Sequence, residues 1–255
     1  MVHASCPIAG VEEVAGGIFV LRFISPPIGA SVRPGQFVNI KAGEGIEPLL
    51  RRPFSVYRVD GSAVEILFNV VGRGTDLLRR KREGEMIDVI GPAGTPFSVS
   101  SPDFETGIMI AGGLGVAPLP LVTAGLKRAG KKRSTFIGAR TAGGIVKAHL
   151  DDPRVATDDG SLGMKGSVVE LARSAFTVLK PDRCRIFACG PTAMLKAVAA
   201  LGREFHIPCE VSLEGPMACG IGICQGCPVE LAGAGKKYAL MCKDGPVFDT
   251  STIVI

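Results

Sequence analysis

Four cysteines late in the chain have the types and spacing for redox chemistry. Cys219, Cys224 and Cys227 form C-x4-C-x2-C, and Cys242 follows after fourteen further residues. Soft thiolate ligands select iron–sulfur clusters, zinc or Cu(I), and C-x4-C-x2-C…C is the plant-type [2Fe–2S] spacing. Zinc sites more often show two short CxxC pairs, or a CxxC followed by histidines. Here only Cys224 and Cys227 make a tight pair, and no histidine lies between Cys219 and Cys242. Gly220, Gly222 and Gly226 allow a loop to wrap an inorganic core with its N–H groups turned inward. A zinc knuckle or buried structural cysteines are the alternatives for the same residues.

Earlier stretches have the chemistry of nucleotide binding. In Arg51-Arg52-Pro53-Phe54-Ser55 the proline fixes a turn, an arginine fork can hold a diphosphate, and the serine can hydrogen-bond a flavin ring or phosphate. Val70-Val-Gly72-Arg-Gly74-Thr75 reads as a strand ending in a glycine turn, with a short helix starting at Thr75 whose backbone N–H groups favour phosphate. Each has a plain reading beside it, because R-P-x-S recurs by chance and Gly-x-Gly-Thr is often only a capped turn. Gly112-Gly113-Leu-Gly115-Val-Ala-Pro118 lets backbone approach a pyrophosphate, although it is not the G-x-G-x-x-G fingerprint. Cys189-Gly190-Pro191 stands where a nicotinamide can lie, or is a buried strand end. Thr157–Ser161 is a polar loop, either a ribose contact or a turn. His3, His149 and His206 are isolated and read as surface or structural residues.

The elements around these motifs divide the chain. Residues 1–100 hold short β-rich runs, 17–23, 36–40, 54–59, 63–70 and 86–90, cut by Gly, Pro, Ser and Asp, which suggests a small antiparallel barrel or sandwich. From Gly107 strands alternate with helices, the pattern of a parallel, doubly wound sheet with its site at the strands' carboxyl ends. The expected division is a barrel over 1–100, an α/β domain over 101–212 and a cluster domain over 213–255. At 255 residues and 46% hydrophobic content, two cores plus an appendage are reasonable. A net charge of +5 from scattered basic residues, with no Trp and two Tyr, argues against nucleic-acid binding. Of the eight cysteines, Cys6, Cys184, Cys189 and Cys209 show no disulfide framework. No signal peptide and no membrane-length apolar run is visible, so a cytoplasmic location is expected.

The order of these motifs resembles the ferredoxin–NADP reductase superfamily: R-R-P-F-S, V-V-G-x-G-T, A-G-G-x-G-x-A-P, then C-G-P. The cassette from Ser212 to Val229, with Met241–Asp249, is similar to the family of dihydroorotate dehydrogenase B electron-transfer subunits, and the likeness spans essentially the whole chain. It implies a multidomain oxidoreductase subunit with an FAD-binding β-barrel, an α/β nucleotide-binding domain and a small [2Fe–2S] domain. FAD would be held by Arg52, Pro53, Phe54 and Ser55, by Leu67, Phe68 and Asn69, and by Gly74 and Thr75. The cluster ligands would be Cys219, Cys224, Cys227 and Cys242. NAD would meet Gly112, Gly113 and Gly115 and Cys189, Gly190 and Pro191. The resemblance also implies an FMN-containing dihydroorotate dehydrogenase catalytic subunit as partner, in a heterotetramer with two copies of each chain. Electrons would run from FMN through the cluster and FAD to NAD. A related reductase subunit of a hydrogenase, sulfide dehydrogenase or bifurcating complex is the alternative. Phe68-Asn69 departs from the family's middle flavin stretch, and the loop at Thr141–Ile145 is short on charge, which leaves NAD against NADP open.

Overall fold

A computed structural model describes residues 1–43, 45–176, 183–233 and 235–255. Its N-terminal strands are β1 (Val2–Ala15), β2 (Ile18–Ile24), β3 (Phe37–Lys41), β4 (Arg52–Asp60), β5 (Ala63–Asn69) and β6 (Met86–Ala93), with helices α1 (Pro26–Ser31) after β2 and α2 (Arg73–Arg79) after β5. The strands close into an antiparallel barrel in the order β1-β2-β5-β4-β3-β6. Closure depends on β1, whose first part pairs with β6 and whose second part pairs with β2 across a register shift between Ile8 and Gly10. A bulge of this kind lets one strand turn the barrel's corner. Leu21, Phe23, Val38, Ile40, Val56, Ile66 and Val89 fill the interior.

The next elements are β7 (Thr106–Gly112), α3 (Leu119–Arg128), β8 (Lys132–Ala139), β9 (Arg154–Thr157), β10 (Met164–Lys165), α4 (Val168–Phe176), β11 (Cys184–Cys189), α5 (Thr192–Glu204) and β12 (Cys209–Ser212). Beyond them come the hairpin strands β13 (Pro228–Glu230) and β14 (Tyr238–Leu240), then β15 (Val247–Asp249). The large sheet runs β10-β9-β8-β7-β11-β12-β15, parallel except for β15. Strand β7 is buried along Gly107–Ala111, as a central parallel strand covered on both faces must be. Helix α3 and the barrel share one core with Met109, Val122, Leu126 and Phe187. On the other face α4 and α5 pack over Ile108, Phe136 and Ile186, and this core continues into Cys227, Val229, Ala239 and Met241.

The expected barrel and doubly wound sheet are both present. The sheet also takes its last strand, β15, from within the segment expected to form the cluster domain. The cluster segment is therefore built onto the sheet rather than hung from it. It is also tied to the barrel, where the Thr95 N–H donates to the Gly245 carbonyl at 2.6 Å. Among the described residues no helix is long and apolar enough to cross a membrane.

Candidate functional site

The barrel brings the two flavin-type motifs together by strand pairing. Val56 of β4 faces Ile66 of β5, so Phe54-Ser55 and Leu67-Phe68 lie on adjoining strands. A cavity of about 360 Å³ is lined by Pro53, Phe54, Ser55, Leu67, Phe68, Asn69 and Thr75. Phe68 packs against Phe54 and Phe19, with ring centroids 5.8 and 5.9 Å apart. Arg52 lies beside this group: a Cβ placed on Gly74 would come within 2.9 Å of its Nε, so the guanidinium sits directly against the glycine turn. Arg52 otherwise donates to the carbonyl of Leu50. The helix expected to begin at Thr75 begins at Arg73, and the Thr75 hydroxyl closes the turn, accepting from the N–H groups of Val71 and Gly72 at 2.9 and 3.2 Å. An apolar, aromatic-walled cavity with a serine hydroxyl inside and an arginine at its margin fits a flavin ring with its phosphates outside.

The nucleotide-type motifs meet where the sheet's connections diverge. From β7 the chain runs outward to β8 on one side and later to β11 on the other, and such a switch point leaves a crevice at the strands' carboxyl ends. Gly112, Gly113 and Pro191 line a cleft of about 1440 Å³ there, with Arg140 and Asp158 further along it. Asn69 and Leu114 line both this cleft and the smaller cavity, so the two spaces adjoin. Gly115 has a different place: a Cβ on it would lie 2.1 Å from the Cys189 carbonyl oxygen, so it lets the turn pack onto the end of β11. Gly115→Ala is therefore expected to destabilise by about 1–3 kcal/mol through overpacking, roughly 2–4 °C in Tm per kcal/mol. Thermal unfolding checks this, and an unchanged Tm would show that the turn can move aside.

Cys189 itself is fully buried, and its thiol contacts Glu214 at 3.7 Å. Burial first, and then the charge of Glu214, push this thiol well above its ordinary range. Neither cavity is lined by Cys189 or Gly190. Thr157–Ser161 forms a turn, in which the Thr157 hydroxyl bridges both backbone groups of Leu162 and Asp159 binds Ser161. His3 pairs with Asp88 on the surface, and His149 lies edge-on to Tyr57.

The four cysteines come together on the loop 219–227 and just after β14. Each sulfur accepts a backbone N–H: Cys219 from Ile221 and Cys224 at 3.5 and 3.4 Å, Cys224 from Gly226 at 3.4 Å, Cys227 from Cys242 at 3.5 Å, and Cys242 from Gly222 at 3.2 Å. Such donors favour thiolates over thiols. Burial works against ionisation of Cys219, yet the N–H donors of Cys224 and Ile221 bring it down to about 6. Burial and the neighbouring Cys227 push Cys242 up to about 12. Among the described residues no three His, Cys, Asp or Glu side chains converge on a point fit for one metal ion. The sulfurs form two pairs instead, Cys219 with Cys224, and Cys227 with Cys242 at 3.3 Å. Tetrahedral zinc needs four donors around one centre, whereas a [2Fe–2S] cluster divides its four cysteines between two irons. The donor set fits the two-iron cluster.

One connecting residue was not singled out from sequence. Asn39, buried in β3, donates from Nδ2 to the Cys219 carbonyl at 3.1 Å and stands opposite Pro53 in β4. Gly220, at φ +68°, lies so close that a Cβ would be 2.2 Å from Nδ2. The cluster loop is thereby docked one strand away from the R-P-x-S motif.

Comparison with known proteins agrees with this geometry. The family model described as the iron–sulfur cluster binding domain of dihydroorotate dehydrogenase B matches residues 214–254. The electron transfer subunit of dihydroorotate dehydrogenase B (NAD(+)) from Desulforamulus reducens is 34% identical, over 97% of this chain and 96% of its own. Its counterpart from Bacillus mycoides is 36% identical, over 97% of each. This chain belongs to that family. Among solved structures, one described as an NADH-dependent reduced ferredoxin-NADP oxidoreductase superposes with a TM-score of 0.87 at 33% identity, over 98% of this chain and 90% of that one. Phthalate dioxygenase reductase, at TM-score 0.66 and 18% identity over 91% of this chain and 87% of its own, shares the fold.

Proposed function

We propose that this family member is the electron-transfer subunit of an NAD-dependent dihydroorotate dehydrogenase in pyrimidine biosynthesis. It would link an FMN-containing catalytic partner to NAD through a [2Fe–2S] cluster and FAD, in a cytoplasmic heterotetramer with two copies of each chain. The observation that supports this most strongly is the docking of the paired cysteines, through Asn39, onto the strand opposite the R-P-x-S motif. When bound, FAD supplies the exchange between a two-electron nicotinamide and a one-electron cluster, and the protein's task is to position and tune these carriers.

In this reading Phe54, Leu67 and Phe68 wall the flavin ring, Ser55 hydrogen-bonds it, and Arg52 against Gly74 meets the diphosphate. Asn69 stands at the passage to the nucleotide cleft, and Thr75 fixes the turn that presents Gly74. Gly112, Gly113 and Pro191 face the dinucleotide, while Gly115, Cys189 and Gly190 support that wall from behind. Cys219, Cys224, Cys227 and Cys242 would hold the cluster, and the backbone N–H groups of their loop would stabilise the thiolates that bind it. No protein acid or base is needed to move electrons along this chain of carriers.

Anaerobically purified protein is expected to carry one FAD, two irons and two sulfides per chain, read by flavin extraction and by iron and sulfide assay. FMN in place of FAD, or stoichiometric zinc without sulfide, sinks the assignment. Co-purification at native expression level identifies the partner. A hydrogenase or sulfide dehydrogenase subunit in its place would select the alternative assembly.

A further inference from the structure

One face of β3 carries contacts to both the smaller cavity and the cluster segment. Phe37, at the start of the strand, lines that cavity and belongs to the core that also holds Cys227 and Cys242. Asn39 is two residues further on, so its side chain leaves the strand on the same face. It is 1% exposed, its Nδ2 donates to the Cys219 carbonyl at 3.1 Å, and its Oδ1 has no hydrogen-bond partner among the described residues. A buried acceptor left without a partner costs about 1–3 kcal/mol, and a leucine of similar size would avoid that cost. The amide is therefore explained by its donor side. The peptide it holds begins the stretch whose N–H groups reach the sulfurs. Ile221 and Cys224 donate to Cys219 at 3.5 and 3.4 Å, and Gly222 donates to Cys242 at 3.2 Å. Burial does not fix these donors, since Ile223 between them is 75% exposed and Cys224 is exposed as well.

We propose that Asn39 is a positioning residue that sets the reduction potential of the cluster held by the four cysteines. The inference rests on the reading that these cysteines bind a [2Fe–2S] cluster. With its first carbonyl anchored to β3, the loop keeps the Ile221, Gly222 and Cys224 N–H groups on the sulfurs of both cysteine pairs. One electron, supplied by the reduced partner subunit in the proposed activity and by dithionite in the test below, adds one negative charge to the cluster. Hydrogen bonds to the sulfurs stabilise that added charge and so raise the potential. Asn39 touches no sulfur and acts only through the peptide it holds, as groups behind the direct ligands of a metal site do. Without its amide the N–H groups turn toward solvent, and the reduced cluster loses their support.

The test is a potentiometric titration of the holoprotein, with the cluster followed by electron paramagnetic resonance and the flavin by absorbance. Asn39→Leu keeps the buried volume but cannot donate. It is expected to shift the cluster's one-electron equilibrium at least tenfold toward the oxidised form, about 59 mV lower in potential, with the flavin potential unmoved. An unmoved cluster potential overturns the proposal. A cluster and a flavin that shift together overturn it as well, because the substitution would then have disturbed the barrel rather than the loop. If Asn39→Leu holds no iron, Asn39→Ala, which leaves space in place of bulk, is measured against the same expectation. Failure of both variants to hold iron would make Asn39 an assembly residue and also overturn the proposal. A wild-type protein without iron and sulfide would instead bring down the functional reading beneath it.

Discussion

Arg52→Ala is expected to weaken FAD binding by about one to two orders of magnitude, while Arg51→Ala leaves it nearly intact. The adjacent arginines differ in what already occupies them. Arg51 is committed to the barrel wall: Nη2 meets Asp88 Oδ2 at 2.9 Å and Nη1 donates to the Asp88 carbonyl at 3.0 Å. Arg52 reaches the other way, onto Gly74, and among the described residues its guanidinium donates only to the Leu50 carbonyl, so its remaining N–H groups are available to a diphosphate. A charge-assisted contact is worth roughly 1.5–3 kcal/mol, and each 1.4 kcal/mol is about tenfold in affinity. Removing Arg51 leaves Asp88 with His3 as its neighbour, and a half-exposed ion pair contributes only about 0–1 kcal/mol. Titrating each apoprotein with FAD, followed by quenching of flavin fluorescence, separates the two. Equal affinities in both variants would remove Arg52 from the diphosphate site.

This contrast is legible in the sequence only up to the motif. R-P-x-S and G-x-G-T could be recognised because each sets a conformationally restricted or permissive residue beside a phosphate-binding group, although Pro53, expected to fix a turn, lies within β4 opposite Asn39; β4 and β5 are rich enough in apolar residues to be read as strands. That the guanidinium touches the glycine turn depends on barrel closure, which no local pattern encodes. Strand β1 was missed for a related reason. Its inward positions include Ala4, Cys6 and Ile8, and Pro7 interrupts the run, so a period of two is present but weakly marked. The three-residue strands β13, β14 and β15 carry little propensity of their own and are held by the packing of the cluster segment on the sheet. Asn39 did leave a sequence signal, an amide in the apolar run Phe37-Val-Asn-Ile, because a polar side chain on a buried strand needs a partner. Which partner it takes could not be read, since Cys219 is 180 residues away. Cys189 shows the converse: the motif was readable, yet the fold turns its thiol toward Glu214 and away from the cleft.

Cys227→Ala is expected to abolish dihydroorotate-driven NAD reduction in the reconstituted complex while leaving the reduction of FAD by NADH intact. The two activities depend on different parts of the molecule. The cavity proposed to hold the flavin is lined from β4 and β5 and by Leu213, Glu214, Gly215 and Met217, and Cys227 is not among its lining residues. Cys227 precedes β13 and Cys242 follows β14, so the hairpin sets the spacing of this sulfur pair. That hairpin is held by its own backbone bonds, including the Met241 N–H to the Cys227 carbonyl at 2.9 Å, which alanine retains. The variant should therefore fold and hold FAD, but three thiolates cannot fill the four protein positions on two irons. Loss of iron and sulfide with flavin retained is the first readout. Stopped-flow bleaching of the flavin by NADH should then match wild type, and NAD reduction from dihydroorotate should fall to that of a mixture lacking this chain. A variant that has lost its iron yet still reduces NAD from dihydroorotate at the wild-type rate would show that electrons reach FAD without the cluster. The paired cysteines would then be structural, and the docking of their loop through Asn39 would serve assembly rather than electron transfer.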